Sequence, residues 1–207
     1  NLAFSAPRVN KLEAHIREIA RDLIEKMLAR QEIEFVRDFA MPLPIRMISE
    51  QLGLTHEEPE TIKRWTDAFV DRLGGMVPKE RELQCAREVV EFQHAIKAQM
   101  DLRRANPTDD LLSDLVHAQI DGERPLDDGE LLSIVQQLLV AGNETTTATL
   151  AEGIILLARN PSELAKAQAD PKIIPNMVEE MLRLASASSG IWRVMKADAE
   201  LGGVTLP

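Results

Sequence analysis

Leu138-Leu139-Val140-Ala141-Gly142-Asn143-Glu144-Thr145-Thr146-Thr147 breaks helix rules in the middle of a strong helix. From Asp127 to Arg159 the chain reads as one long, mostly apolar helix. Leu131, Leu132, Val135, Leu138 and Leu139 precede the break, and Leu150, Ile154 and Leu157 follow it. A glycine and three successive threonines in a helix interior cost about 2–3 kcal/mol of intrinsic propensity relative to alanine. A local rule broken inside a consistent element marks a place where function outweighs stability. At about 100° per residue, Gln137, Ala141, Glu144, Thr145 and Ala148 share one face.

That face is small at Ala141 and Gly142 and then carries an acid and a hydroxyl. Such a combination suits activation of a small ligand above a flat cofactor. Small residues let the backbone approach the plane, and a mid-helix threonine competes for the carbonyl four residues back, here Ala141. An adjacent carboxylate supplies a proton path from solvent. On these residues alone a buried helix crossing, in which Ala, Gly and Thr simply permit close packing, stays open.

Outward from the motif, almost everything before Gly190 reads as helical. Val9, Leu12, Ile16, Ile19, Leu23 and Met27 form an apolar stripe behind the start signals Ser5 and Pro7. A second helix carries Ile45, Ile48 and Leu52 after Pro42 and Pro44 and stops at Gly53. A third spans 57–73, and Pro78 opens a long fourth helix broken near Asn106-Pro107. A short helix follows Thr108, which reads as its cap, and residues 121–125 read as a loop. Asn160-Pro161 ends the central helix, two shorter helices follow, and residues 200–206 read as a hairpin turning at Gly202-Gly203.

The 207 residues are 44% hydrophobic, enough for a packed core without staples. A net charge of −10 and the lack of a basic run argue against a nucleic-acid partner. The single cysteine excludes an internal disulfide framework. Gln136 and Gln137 interrupt the best candidate for a membrane span, and no signal peptide is present, so the expectation is a soluble, cytoplasmic protein without a membrane partner. The first residue is Asn1, and the terminal hairpin has nothing to pair with. The chain therefore reads as one truncated domain segment, 1–207, of a larger protein.

Glu180 and Arg183 stand at i, i+3 on an apolar helix carrying Met177, Val178, Met181 and Leu184, so they are expected to pair at the edge of that stripe, partly buried. Arg193 follows in Gly190-Ile191-Trp192-Arg193. His15, His56, His94 and His117 lie on separate elements and show no metal-ligand spacing. Asp109, Asp110 and Asp114 suggest a magnesium-diphosphate helix, as in terpenoid synthases. The second ligand set that chemistry needs fails at Ala151, and acids in a first helical turn are explained by the dipole.

Taken in order, Ala-Gly-Asn-Glu-Thr-Thr at 141–146, Glu-x-x-Arg at 180–183, Gly-x-x-Arg at 190–193 and Leu-Gly-Gly-Val-Thr-Leu-Pro at 201–207 resemble the cytochrome P-450 superfamily. Leu2-Ala3-Phe4-Ser5 with Arg8-Val9, Pro42-Leu43-Pro44 leading to Leu52-Gly53-Leu54, and Thr108-Asp109-Asp110-Leu111-Leu112 resemble its soluble bacterial members. The resemblance implies a mainly α fold: the central helical part of the P-450 architecture, with a short β-hairpin near the C-terminal end. It also implies a haem-thiolate monooxygenase acting on a small hydrophobic organic substrate. Electrons would come from a ferredoxin or a flavin-containing reductase.

By that resemblance, Ala141 and Gly142 lie over the haem, and Glu144 and Thr145 deliver protons to bound dioxygen. Arg193 meets a haem propionate, Glu180 and Arg183 brace the cofactor core, and Val140, Ile191 and Trp192 line the substrate pocket. The chain departs from the family in two respects: the Phe-x-x-Gly-x-x-x-Cys-x-Gly ligand loop does not occur in it, and neither do the helix-borne Trp and Arg or His residues that in the family precede the counterpart of Phe4-Ser5 and contact the haem. Cys85, in a helical stretch before the central helix, cannot substitute, so this segment holds no metal ligand and is expected to be inactive by itself. A haem-free helical interaction module derived from the same fold is the rival reading.

Overall fold

The computed structural model describes residues 6–120, 124–188, 190 and 195–206. The chain runs α1 (Ala6–Leu28), a π-helical turn (Val36–Ala40), α2 (Pro42–Gln51), α3 (Pro59–Gly74), α4 (Lys79–Ala105) and α5 (Leu111–Val116). It continues through β1 (Gln119–Ile120), β2 (Arg124–Pro125), α6 (Asp128–Arg159), α7 (Pro161–Ala169), a 3-10 turn (Pro171–Ile173), α8 (Ile174–Leu184), β3 (Ala199–Leu201) and β4 (Val204–Leu206). The mainly α class and the C-terminal hairpin agree with expectation. Ala199 pairs with Leu206 and Leu201 with Val204, and the turn runs through Gly202 and Gly203 at φ +60° and +78°.

α6 starts where the sequence places it, because Asp127 and Glu130 form a reciprocal capping box. The Asp127 carboxylate accepts from the Glu130 amide at 2.9 Å, and the Glu130 carboxylate accepts from the Asp127 amide at 2.9 Å. Leu131, Val135 and Leu139, one every four residues, are fully buried. They join one cluster with Ile62, Trp65, Ala68 and Phe69 of α3, Cys85, Val89, Phe92, Ile96 and Met100 of α4, and Leu112 of α5. Phe92 meets Trp65 and Phe69 edge-on, at ring-centre distances of 5.7 and 5.2 Å. One face of α6 is therefore fixed against α3 and α4.

A polar tie closes the α4–α5 corner. Arg103 donates to Asp110 Oδ2 at 3.0 and 2.9 Å and to Gln99 Oε1 at 2.6 Å. Asp110, not Thr108, caps α5: its Oδ1 accepts from the Ser113 amide at 2.8 Å, and Thr108 Oγ1 donates to Asp110 Oδ2 at 2.8 Å. The local rule admits several caps here, and the one facing Arg103 prevails. Gly53, at φ +70°, ends α2 against the same guanidinium, where a Cβ would stand 2.2 Å from Arg103 Nη2. Glycine is required there on both counts.

Two further differences from expectation are local. Arg124 and Pro125, expected in a loop, pair with Ile120 and Gln119 as a minimal antiparallel ladder. α1 buries Ile19 and Leu23, but Val9 and Ile16, from the same stripe, are exposed. Beyond α6 few of the described residues are buried, and Val178, Leu182 and Leu184 of α8 are about half exposed. Among the described residues, no helix is long and apolar enough to cross a membrane.

Candidate functional site

The motif sits at the midpoint of α6, and its two sides have different surroundings. Toward the core, Asn143 is fully buried and its Nδ2 donates to Thr66 Oγ1 of α3 at 3.4 Å. Thr147 donates to the Ala40 carbonyl at 3.2 Å, tying α6 to the π-helical turn. These bonds extend the Leu131–Val135–Leu139 stripe by two polar steps of four residues. They hold a propensity-poor stretch in place through tertiary contacts rather than helix preference.

On the other side, Ala141, Gly142, Thr145 and Thr146 are exposed. A Cβ placed on Gly142 would meet nothing within 4 Å. Thr145 Oγ1 donates to the Ala141 carbonyl at 2.6 Å, as its position in the sequence suggests, and Thr149 repeats the contact to Thr145 at 2.8 Å. The helix is nevertheless continuous from 128 to 159, so the expected weakening does not become a break.

Two concavities flank this strip. An apolar one of about 270 Å³ lies between α1, α2 and α6, lined by Val9, Leu12, Ile16, Met47, Gly142 and Thr146 among others. A second, of about 540 Å³, lies between the end of α3 and α6, where Phe69, Leu73, Gln136, Gln137, Val140 and Ala141 form its walls. Val140, expected at a substrate pocket, lies in this second cavity.

Glu144 occupies the boundary between the pinned and open sides. Its side chain is 34% exposed, yet Oε1 is buried without a hydrogen bond, 3.5 Å from Lys63 Nζ on α3. Lys63 also binds Asp67, one turn further along α3. Burial opposes the charge on Lys63, but the Asp67 hydrogen bond and the Glu144 carboxylate outweigh it and hold its pKa above the usual lysine value.

The open strip has room for a flat macrocycle: two small residues, the hydroxyls of Thr145 and Thr146, and no side chain crowding Gly142. It offers no thiolate. Cys85 is wholly buried in α4 with its sulfur 3.9 Å from Asp71 Oδ2, and burial pushes its thiol pKa up. The residues present therefore fit the oxygen-binding face of a haem and not its ligand side. Among the described residues no group of His, Cys, Asp and Glu could hold a metal ion.

Glu180 and Arg183 lie on α8, which meets α6 beyond the strip, at Gly153. Glu180 and Arg183 do pair, at 2.6 and 2.8 Å, but the side chains are 54% and 66% exposed, which corrects the expectation of partial burial. α8 packs along α6 through Met181, whose sulfur lies 3.2 Å from a Cβ built on Gly153, and its outer face, with this pair, is uncovered. Arg193, Ile191 and Trp192 lie outside the described residues. Sequence reasoning missed Lys63, Thr66 and Asn143. Only Asn143 left a signal, a polar residue continuing an i, i+4 core stripe.

The family model for Cytochrome P450 matches residues 76–207. The chain is 37% identical to a steroid C26-monooxygenase of Mycobacterium tuberculosis over 206 residues, covering 100% of the chain and 55% of that protein. It is 34% identical to 6-deoxyerythronolide B hydroxylase of Saccharopolyspora erythraea, covering 99% and 49%. Among solved structures, the myxobacterial cytochrome P450 CYP267B1 in complex with myristic acid superposes with a TM-score of 0.87 at 37% identity, covering 99% of this chain and 50% of that one. The chain thus spans about half the length of the relatives it matches.

Proposed function

The chain belongs to the cytochrome P450 family, and from that membership we propose that it forms the oxygen-side half of a haem-thiolate monooxygenase, one that inserts one atom of dioxygen into a small hydrophobic organic molecule. Bound haem would supply the iron that activates dioxygen, its cysteine ligand coming from sequence outside these 207 residues. The observation that carries the reading is the open strip on α6: Gly142 free of neighbours and Thr145 exposed, on a helix whose opposite face is pinned to α3.

Each residue has a task that its surroundings permit. Ala141 and Gly142 keep the strip shallow. Thr145 donates its hydroxyl hydrogen bond to the Ala141 carbonyl, which leaves its oxygen lone pairs free to accept a hydrogen bond from the open side. Turning that proton outward costs one helix back-bond, about 1 kcal/mol. Glu144, one residue earlier, takes protons from solvent and passes them along the strip, the work of a positioned general acid. Val140 and Phe69 wall the cavity in which an apolar substrate is held. Relatives named for a steroid and crystallised with myristic acid support an apolar ligand class.

Electrons are assigned to a ferredoxin or a flavin-containing reductase. No nucleic-acid or membrane partner is assigned, and the location is the cytoplasm. Arg193 remains our candidate for a haem propionate, with Ile191 and Trp192 at the substrate pocket. The test is the absorption spectrum of the reduced, carbon-monoxide-bound full-length protein, followed by ligand-induced shifts across a panel of apolar compounds. A thiolate-type band with shifts supports the reading. A full-length protein that takes up no haem points instead to the helical interaction module.

A further inference from the structure

One cation on α3 is shared by two carboxylates on different helices. Lys63 Nζ binds Asp67 on its own helix and stands 3.5 Å from the buried, unbonded Oε1 of Glu144 on α6. A buried carboxylate oxygen without a hydrogen bond is costly, and a charged neighbour just beyond hydrogen-bonding distance is what offsets it. The same turn of α3 supplies Thr66, which receives the Asn143 amide, and Thr147 on the far side of Glu144 is tied to Ala40 of the π-helical turn, so α6 is held on both sides of Glu144. Three residues after Thr66, Phe69 walls the cavity opposite Val140 and Ala141.

We propose that Lys63 is a positioning residue for Glu144: it holds the carboxylate at the α3–α6 seam, with one oxygen inside and the side chain still reaching solvent, so that protons enter the strip from a fixed point. Asp67 is the competing partner that keeps Lys63 from closing fully on Glu144. A shift of α3 away from α6 lengthens the Lys63–Glu144 contact and leaves the ammonium to Asp67. The wall that contacts the substrate therefore also sets the position of the acid. The inference rests on the monooxygenase reading for the role of Glu144, but the tether itself is measurable without it.

The experiment uses the full-length protein with Lys63→Gln, Lys63→Arg, Glu144→Gln and the Lys63→Gln/Glu144→Gln pair. Urea unfolding gives a double-mutant cycle, and amide hydrogen exchange reports on residues 143–148 of α6. The cycle is expected to show a coupling of about two- to fivefold in the unfolding constant, as for a half-buried ion pair. Exchange should rise in Lys63→Gln and return toward the parent value in Lys63→Arg.

In turnover with a reductase, Lys63→Gln should lower kcat by up to about a hundredfold with KM little changed, the scale that a misplacement of about an ångström can cost, and Lys63→Arg should restore most of it. Additive unfolding effects overturn the tether. Coupling in unfolding with unchanged kcat and unchanged product per electron overturns the positioning role and leaves a structural ion pair. If the protein takes up no haem, the monooxygenase reading fails and the role assigned to Lys63 falls with it, while the unfolding cycle still reports on the tether.

Discussion

The Thr145 hydroxyl donates to the Ala141 carbonyl at 2.6 Å, a bond that an α-helix does not need at that point. Both residues are exposed, so the contact does not fill a core. Replacing Thr145 with Ala removes the hydroxyl and improves helix propensity by roughly half a kcal/mol. The expected outcome is a full-length protein that unfolds no more easily, still takes up haem and still shows substrate-induced spectral shifts. Its reducing equivalents should pass to peroxide instead of product. Product and peroxide formed per electron are the measurement, and unchanged coupling would remove Thr145 from the mechanism.

Much of this arrangement was legible in the sequence. The span of α6 follows from Asp127, Glu130 and a stripe of period four ending at Asn160-Pro161. The motif residues 141–146 could be named because they violate helix preference. What stayed hidden depends on partners far along the chain. Asn143 meets Thr66, 77 positions earlier, and Lys63 meets Glu144 across the same pair of helices. A lysine on an amphipathic helix carries no mark of which acid it faces. The cap of α5 was misread for a similar reason: Thr108 and Asp110 satisfy the local rule equally, and Arg103 on α4 decides between them.

Two glycines separate stability from function. Gly142 has empty space where a side chain would begin, so Gly142→Ala should raise the unfolding free energy by about 1 kcal/mol, the helix-interior difference between the two residues. Gly142→Leu should also fold but reduce haem uptake, because its side chain fills the strip. Gly53→Ala should do the opposite, costing about 1–3 kcal/mol for a left-handed alanine, and more because Arg103 must move. Urea unfolding and haem content measured on the three variants check both statements.

The α1–α2 contact is sensitive to pH through His15. Its ring binds Glu50 of α2 and lies 3.3 Å from Glu18. The Glu50 hydrogen bond raises the pKa against a modest opposing effect of burial, and Glu18 adds to the rise. A raised folded-state pKa means the stabilisation is fully present below the unfolded value, 6.5, and is lost as pH rises through the folded value. Urea midpoints should therefore decline as pH increases above about 6.5. His15→Gln should flatten that decline and leave the alkaline end unchanged. An identical slope in both proteins would mean that the ring is solvated and the contact contributes nothing.

Arg183 tests whether α8 is a finished surface. In this chain Arg183 and Glu180 form an exposed bidentate pair, and Val178, Leu182 and Leu184 on the same helix are about half exposed. An exposed pair of this kind contributes little by itself. A strongly apolar helix left uncovered is a surface that seeks a partner. If further chain in the full-length protein covers α8, the pair is desolvated, and removing one member leaves a buried charge without its partner, which is far more damaging than losing a surface contact. Arg183→Ala is therefore expected to lower the yield of folded, haem-loaded full-length protein sharply, while Arg183→Lys retains part of it. The double variant Glu180→Gln/Arg183→Met, which removes both charges together, should recover more folded protein than Arg183→Ala alone. Normal haem incorporation in Arg183→Ala would show that the pair stays a surface contact in the whole protein.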